Sequence, residues 1–196
     1  RVLGFASVDH APEGNSLNGA GKPLALIVMD DQVREDISET LSQFRDLDVG
    51  LKVISGDNVE TVRSIASQAG MNTTYAYTGE QLESMAEGDF ESAVIKGSVF
   101  ARIEPHTKQR IVHALQHQGE YVAMVGDGVN DVPALKASNL AIVMNDGTQI
   151  SKDVADIVLL NNAMSTLPRA FFEGREITQT IFGTTIGLSG RLEIGY

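Results

Sequence analysis

The sequence predicts an α/β fold, a Rossmann-like parallel sheet with helices on both faces. Apolar runs of four to six residues alternate along the chain with amphipathic stretches of ten to fifteen residues. The apolar runs lack polar alternation, so both faces of each strand are expected to be buried. A chain of 196 residues, 42% of them hydrophobic, is long enough for one well-buried domain.

Six strands are predicted from the apolar runs, and helices are predicted where apolar residues recur at helical spacing between them. In chain order the strands are residues 23–30, 50–57, 98–103, 121–127, 140–144 and 155–160. The helices are residues 34–48, 58–70, 105–119, 132–137 and 165–182. Two of these helices begin and end with residue types that are favoured at helix boundaries. The starts are Asn58 and Pro105, and the ends are Gly70 and Gly119.

Two regions break this alternation. Residues 72–98 are expected to hold only a short helix, Glu80–Glu87, with loops around it. Residues 1–22 contain a strand, "RVLGFASVD", followed by a turn rich in Gly and Asn. These first residues are therefore expected to form an arm that leads into the main domain.

Composition narrows the classes of function. Asp and Glu number 26 against 15 Lys and Arg, a net charge of −11, which argues against a nucleic-acid-binding surface. The chain has no cysteine, which excludes disulfides and thiolate metal sites. No apolar run reaches 18 residues, so a soluble domain is predicted.

Polar clusters follow four of the predicted strands at the point where each apolar run stops. They read "MDDQVR", "ISGDN", "ARIEPHTK" and "VGDGVND". Because ligands of open parallel sheets bind beyond the carboxyl ends of the strands, all four clusters are expected to meet at one edge.

These clusters contain the parts of a phosphoryl-transfer site. Ser55 offers a hydroxyl, the backbone near Gly56 offers N–H groups, and Lys108 offers a positive charge to phosphate oxygens. Asp127 is expected to hold a Mg²⁺ ion that bridges the carboxylate and the phosphate. Asn130 and Asp131 follow within one short turn, close enough to orient the phosphate or a metal-bound water.

The strings "GDGVNDVPALKAS", "VISGDN" and "PHTKQRIVHALQ" resemble the phosphorylation domain of P-type cation-transporting ATPases. That domain belongs to the haloacid-dehalogenase-like superfamily. The resemblance extends from Lys22 to Ile181, and the later "DGTQISKDVADIVLLNN" and "STLPRAFFEGREI" resemble the segment that leads into the transmembrane stalk. The overall pattern is closer to the calcium-type pumps than to the soft-metal exporters.

The resemblance implies roles for individual residues. The catalytic group would be Lys108, Asp131 and Ser55. The cofactors would be Mg²⁺ and ATP, with Asp127 and Asp131 as metal ligands. The residues that contact the nucleotide or its phosphates would be Asp31, Arg34, Ser55, Gly56, Asp57 and Asn130.

One part of the family pattern is missing. The nucleophile of the family is an aspartate in a "DKTGT" string, which this sequence does not contain. In the family its strand lies between the "ISGD" and "VGDG" strands, so a gap is expected in the middle of the sheet. The segment "VLGFASV" is the only spare strand that the sequence suggests. A larger parent protein is the favoured explanation, and the fragment alone is expected to be inactive.

The resemblance also implies a domain division and a setting. Residues 1–22 would be the tail of a nucleotide-binding domain or an arm, 23–181 an incomplete phosphorylation domain, and 182–196 the start of a stalk or a disordered tail. The partners would be ATP, a transported metal cation, and the nucleotide-binding, actuator and membrane domains of the parent, at the cytoplasmic side of the cell membrane. A soluble phosphatase of the same superfamily and a non-catalytic Mg²⁺- or nucleotide-binding module remain alternatives.

Overall fold

The computed structural model describes residues 2–8, 21–28, 33–34, 36–182 and 190–195. The chain divides into two compact units, residues 1–32 and 33–196. The first unit contains a hairpin in which β1 (Val2–Ser7) pairs antiparallel with β2 (Lys22–Val28). Within the described helices, none has the length and apolarity that crossing a membrane requires.

The prediction of a buried parallel strand at residues 23–30 was wrong. The strand exists as β2, but it pairs only with β1 in a separate two-stranded sheet. Its apolar side chains are exposed, with Leu26 at 74% and Val28 at 71%. An unbroken apolar run predicts burial on both faces, yet it does not say which other elements of the chain cover those faces.

The second unit is a seven-stranded sheet in the order β4-β5-β3-β9-β6-β7-β8, and every recorded pair in it is parallel. Its strands are β3 (Val53–Ile54), β4 (Ala76–Thr78), β5 (Val99–Ala101), β6 (Tyr121–Gly126), β7 (Leu140–Met144), β8 (Ile157–Leu159) and β9 (Gly190–Gly195). The helices are α1 (Ile37–Asp46), α2 (Val59–Gln68), α3 (Gly79–Glu83), α4 (Glu87–Lys96), α5 (Pro105–His117), α6 (Val132–Ala137), α7 (Gln149–Lys152) and α8 (Leu167–Phe182). The predicted α/β class with a parallel sheet is confirmed.

Both faces of the sheet are covered, as the apolar strands predict. Along β6, Val122 and Met124 belong to the cluster that packs against α4, α5 and α6. The alternate residues Ala123 and Val125 belong to a second cluster with α1 and the start of α8. Successive side chains of a strand point to opposite faces, so an apolar residue at every position is what a doubly covered sheet requires.

The region 72–98 contains more structure than the sequence predicts. Besides α3 it holds the edge strand β4 and the ten-residue helix α4. Phe90, Ala93 and Val94 form the buried face of α4. This spacing is helical, but two Gly residues and the short apolar runs hide it in the sequence.

The centre of the sheet is filled by β9, which the sequence does not predict. This strand pairs in parallel with β3 on one side and with β6 on the other. The segment "VLGFASV" does not take that place, because it forms β1 and pairs with β2. Arg191 and Glu193 interrupt the apolar run in β9, and a central strand of a parallel sheet rarely carries such charges.

Candidate functional site

Three of the four predicted strand ends meet at one edge of the large sheet. Ser55 follows β3 and Asp127 follows β6, and the two strands lie on either side of β9. With a strand spacing of about 4.8 Å, the two ends are about 10 Å apart, room for a phosphoryl group and an ion. The fourth cluster, "MDDQVR", follows β2, which is not a strand of this sheet, so its predicted place at a strand end of the sheet was wrong. Its residues 29–32 lie outside the described residues, whereas Arg34 lines a cavity together with Asp127.

The loop after β3 is held rigidly against the end of β5. The Ser55 amide donates to the Phe100 carbonyl at 2.8 Å, and the Ser55 carbonyl accepts from the Ile103 amide at 2.9 Å. The Asp57 amide donates to Ser55 Oγ at 3.1 Å. Because Oγ accepts this bond, its own hydrogen is the group that can be donated to a ligand oxygen.

A buried ion pair joins α5 to the loop after β6. Lys108 Nζ donates to Asp131 Oδ1 at 2.6 Å, and each side chain is only 5% exposed. Asp131 Oδ2 accepts from the Gly128 amide at 3.2 Å. A Cβ at Gly126 would lie 2.7 Å from Asp131 Cβ, so only glycine allows this carboxylate to fold back against the strand end.

The two acids of the "GDGVND" string therefore differ in environment. Both oxygens of Asp131 accept hydrogen bonds from the protein, whereas Asp127 is exposed at the edge of the sheet. The Asp131 contacts hold Lys108 and the turn in place. Metal ligation by Asp131 stays a prediction, and the geometry favours Asp127 as the principal ligand.

Asp127 has a fixed backbone and an exposed carboxylate. Its carbonyl accepts from the Thr148 amide at 2.8 Å, and Ser151 Oγ donates to the neighbouring Gly128 carbonyl at 2.9 Å. A Cβ at Gly147 would lie 3.1 Å from the Asp127 carbonyl oxygen, which shows how closely this loop approaches. Mg²⁺ in enzymes commonly takes one or two carboxylates together with phosphate oxygens and water, and this donor set fits that pattern.

A cavity of about 190 Å³ lies beside Asp127. Arg34, Asp36, Asp146 and Asn162 contribute to its wall. Arg34 Nη1 donates to the Asn162 carbonyl at 2.6 Å. The cavity wall therefore combines one guanidinium with three carboxylates, those of Asp36, Asp146 and the candidate metal ligand Asp127.

The remaining predicted residues are distributed as follows. Asp57 and Asn130 are exposed at the edge that carries Ser55 and Asp127. A Cβ added at Gly56 would lie 3.9 Å from the Ile103 carbonyl oxygen. Asp31 lies outside the described residues.

A second group of possible ligands stands on the same sheet but nearer to β4 and β5. Glu83, Glu104 and His106 are exposed and bring their ligand atoms within 4.8 Å of one another. His106 faces both carboxylates, at 3.4 Å and 3.6 Å, and Thr107 Oγ1 donates to Glu83 at 2.9 Å. These internal contacts account for the group without an ion.

The sequence did not indicate Thr148, Asp146 or Asn162 as part of the site. They follow β7 and β8, the two strands that lie beyond β6 in the sheet. The apolar runs of these strands end in "NDGT" and "NN". The rule that ligands bind beyond the carboxyl ends of the strands applies to these ends as well, and it was the available signal.

Comparisons with known proteins agree on the fold and on a family. A family model described as a haloacid dehalogenase-like hydrolase matches residues 6–139. The calcium-transporting ATPase CtpE of Mycobacterium bovis is 40% identical over 184 residues, 92% of this chain and 22% of that protein. The endoplasmic reticulum calcium ATPase srcA of Aspergillus fumigatus is 34% identical over 195 residues, 90% of this chain and 20% of that protein.

The chain spans about a fifth of the length of these relatives. Among solved structures, the catalytic domain of the CPx-ATPase CopB-B matches with a TM-score of 0.56 and 24% identity. The match covers 78% of this chain and 50% of that domain. At this identity it supports the α/β fold alone.

Proposed function

The chain belongs to the haloacid dehalogenase-like hydrolase family, and from that premise we propose that it is the C-terminal part of the phosphorylation domain of an ATP-driven P-type metal-cation transporter. The observation that carries the proposal is the shared edge of β3, β5 and β6, which presents Ser55, Lys108 and Asp127. The relatives named as cation-transporting ATPases support the same assignment.

In the proposed site each residue has one task. Asp127 would hold Mg²⁺, which when bound neutralises charge on the phosphoryl oxygens. Ser55 Oγ and the backbone amides of the following loop would donate to the same oxygens. Lys108 would add a positive charge. Asp131 would orient the Lys108 ammonium group toward the edge of the sheet through their 2.6 Å contact.

The wider setting is part of the proposal. ATP would be the phosphoryl donor, with Arg34 and Asp31 near its ribose and phosphates. The nucleotide-binding, actuator and membrane domains would belong to the rest of the parent protein, and this domain would lie on the cytoplasmic side of the membrane. Two relatives are named for calcium, so calcium is the first cargo to test.

The chain contains no "DKTGT" string, and the proposal therefore requires that the nucleophile come from outside this sequence. The register of β9 supports a place for it. Ile54 pairs with Gly195 and Val125 pairs with Ile194. If the same register continued by one residue, an aspartate placed directly after Gly195 would come level with Ser55 and Asp127. An aspartate at that position would lie between the two sides of the site.

Supplying this aspartate should create a phosphoryl-binding site. In a chain carrying Tyr196→Asp followed by Lys-Thr-Gly-Thr, beryllium fluoride should bind the new carboxylate as a mimic of the aspartyl phosphate. Fluorine NMR should show a bound resonance that requires Mg²⁺. The same extension with Tyr196→Asn is the matched control and should show none.

Two results would count against the proposal. A bound resonance of equal strength in the Tyr196→Asn control would show that beryllium fluoride does not use the nucleophile position. Binding of Mg²⁺ without any beryllium fluoride adduct would favour the non-catalytic Mg²⁺-binding module.

A further inference from the structure

Asn162 occupies a strained turn that connects three segments at the edge of the sheet. Its φ is 51°, in the left-handed region that Asn tolerates better than most other side chains. The turn follows β8, and the Leu159 carbonyl accepts from the amides of both Asn162 and Asn145, at 3.0 Å and 3.1 Å. The turn after β8 is thus tied to the loop after β7.

The Asn162 side chain reinforces that connection by pairing with Asp146. Its Nδ2 donates to Asp146 Oδ2 at 2.6 Å, and its Oδ1 accepts from the Asp146 amide at 3.1 Å. An amide is suited to this place because it donates and accepts at once, which neither Asp nor Leu can do. Asp146 precedes Gly147 and Thr148, the residues that lie against the Asp127 carbonyl.

The left-handed turn also brings the Asn162 carbonyl to Arg34. Arg34 Nη1 donates to it at 2.6 Å. The acceptor is neutral, so this contact fixes the guanidinium without compensating its charge. Asp146 lines the same cavity as Arg34, and its carboxylate pairs with the Asn162 side-chain amide. Without that partner, the carboxylate would compete with the Asn162 carbonyl for the guanidinium.

We propose that Asn162 is a positioning residue: it fixes Arg34 beside Asp127 so that the guanidinium faces the phosphate groups of a Mg²⁺-bound phosphate ligand. The inference rests on the proposed function for the identity of the ligand and on the contacts above for the geometry. Arg suits this task because its planar guanidinium group has five N–H donors. One of them donates to the Asn162 carbonyl, and the others can contact phosphate oxygens.

Asn162→Gly is the sharpest test, because glycine keeps the left-handed turn and the main-chain carbonyl that Arg34 contacts. It removes only the side-chain amide that ties this turn to Asp146. If that tie holds the carbonyl in place, the Arg34 contact should loosen. Arginine side-chain NMR of the whole chain should show that hindered rotation of the Arg34 guanidinium is lost in this variant. Arg45 is an internal reference, since its Nη1 donates at 2.8 Å to the carbonyl of Gly70, another residue with positive φ. The Arg45 signal should not change.

Ligand affinity is the second measurement, with Mg²⁺ and inorganic pyrophosphate as the probe in calorimetry. Asn162→Gly should weaken binding about tenfold, the effect expected for one misplaced charge-assisted hydrogen bond. Asp48→Gly is the matched control, because Asp48 also has a positive φ, 59°, in the turn that follows α1. It should leave both the affinity and the Arg34 signal unchanged.

Exchange of the two side chains provides a rescue. Asn162→Asp alone places two carboxylates together, which breaks the pair with Asp146 and should draw the Arg34 guanidinium away from the main-chain carbonyl at position 162, so the Arg34 signal should shift. Adding Asp146→Asn restores a donor and an acceptor across the pair, so the Arg34 signal of the unaltered chain should return. An Arg34 signal that is unaffected by Asn162→Gly, or no recovery in the exchanged pair, would overturn the inference. If pyrophosphate fails to bind the unaltered chain, the proposed function fails, while the Arg34 signal still decides the positioning role.

Discussion

Replacing Lys108 by Met should lower the free energy of unfolding by about 3–5 kcal/mol, the usual cost of removing one partner of a buried ion pair. Lys108 and Asp131 are each 5% exposed and are joined at 2.6 Å. Without the ammonium group, the buried Asp131 carboxylate loses its charge partner and keeps the hydrogen bond from the Gly128 amide. Denaturant unfolding with a constant slope is the measurement.

Two further variants separate the lost charge balance from the lost side chain. Adding Asp131→Asn to Lys108→Met removes the uncompensated carboxylate and keeps an oxygen for the Gly128 amide, so most of the stability should return. Lys136→Met changes an exposed lysine on α6 and should stay within about 0.5 kcal/mol of the unaltered chain. Equal losses in the single and the double variant would contradict the ion-pair explanation.

Replacing Asp127 by Asn should reduce Mg²⁺ affinity by more than about 100-fold, since loss of even an outer-shell partner of a metal commonly costs 10–100-fold. The carboxylate is exposed and Asp36 and Asp146 stand in the same cavity wall, so its removal should not destabilise the fold. Calorimetric titration with Mg²⁺ measures the affinity, and thermal unfolding checks the fold.

Glu104→Gln is the control for the Asp127 variant, because Glu104 belongs to the exposed group with Glu83 and His106. It should leave Mg²⁺ affinity unchanged. If Glu104→Gln abolishes binding and Asp127→Asn does not, the ion binds near β4 and β5 instead of at the edge of β3 and β6.

The parts of the fold that follow from local pattern were predictable. Asn58 accepts a hydrogen bond from the Glu60 amide at the start of α2, and Pro105 opens α5, as their positions in the sequence predict. The alternate residues of β6 face different apolar clusters because the strand is apolar at every position. Such features depend on residues close together in the chain.

The features that depend on distant residues were not predictable. β9 fills the centre of the sheet, although Arg191 and Glu193 make its sequence unlike a buried strand. β2 has the composition of a buried strand but lies in an exposed hairpin. Which strand pairs with which is decided by the whole chain, and an apolar run carries no information about its neighbours.

The candidate site shows the same division. The rule that ligands bind beyond the carboxyl ends of strands pointed to Ser55, Lys108 and Asp127. The structure places the ends of the strands that precede them, β3, β5 and β6, at one edge of the sheet, and their roles stay predictions. The rule did not give the partner of Lys108, because a 2.6 Å contact between α5 and the loop after β6 depends on tertiary packing. Nor did it give Asn162, whose effect on Arg34 joins residues 128 positions apart.

Paramagnetic relaxation by Mn²⁺, used in place of Mg²⁺ with pyrophosphate present, tests the central claim most directly. If the edge of β3 and β6 binds the ion, the amide signals of Ser55 and Asp127 and the side-chain signal of Lys108 should broaden together at the lowest Mn²⁺ concentrations. Early broadening of Glu83 and His106 instead, with Ser55 and Asp127 unaffected, would contradict a phosphoryl-transfer site at this edge.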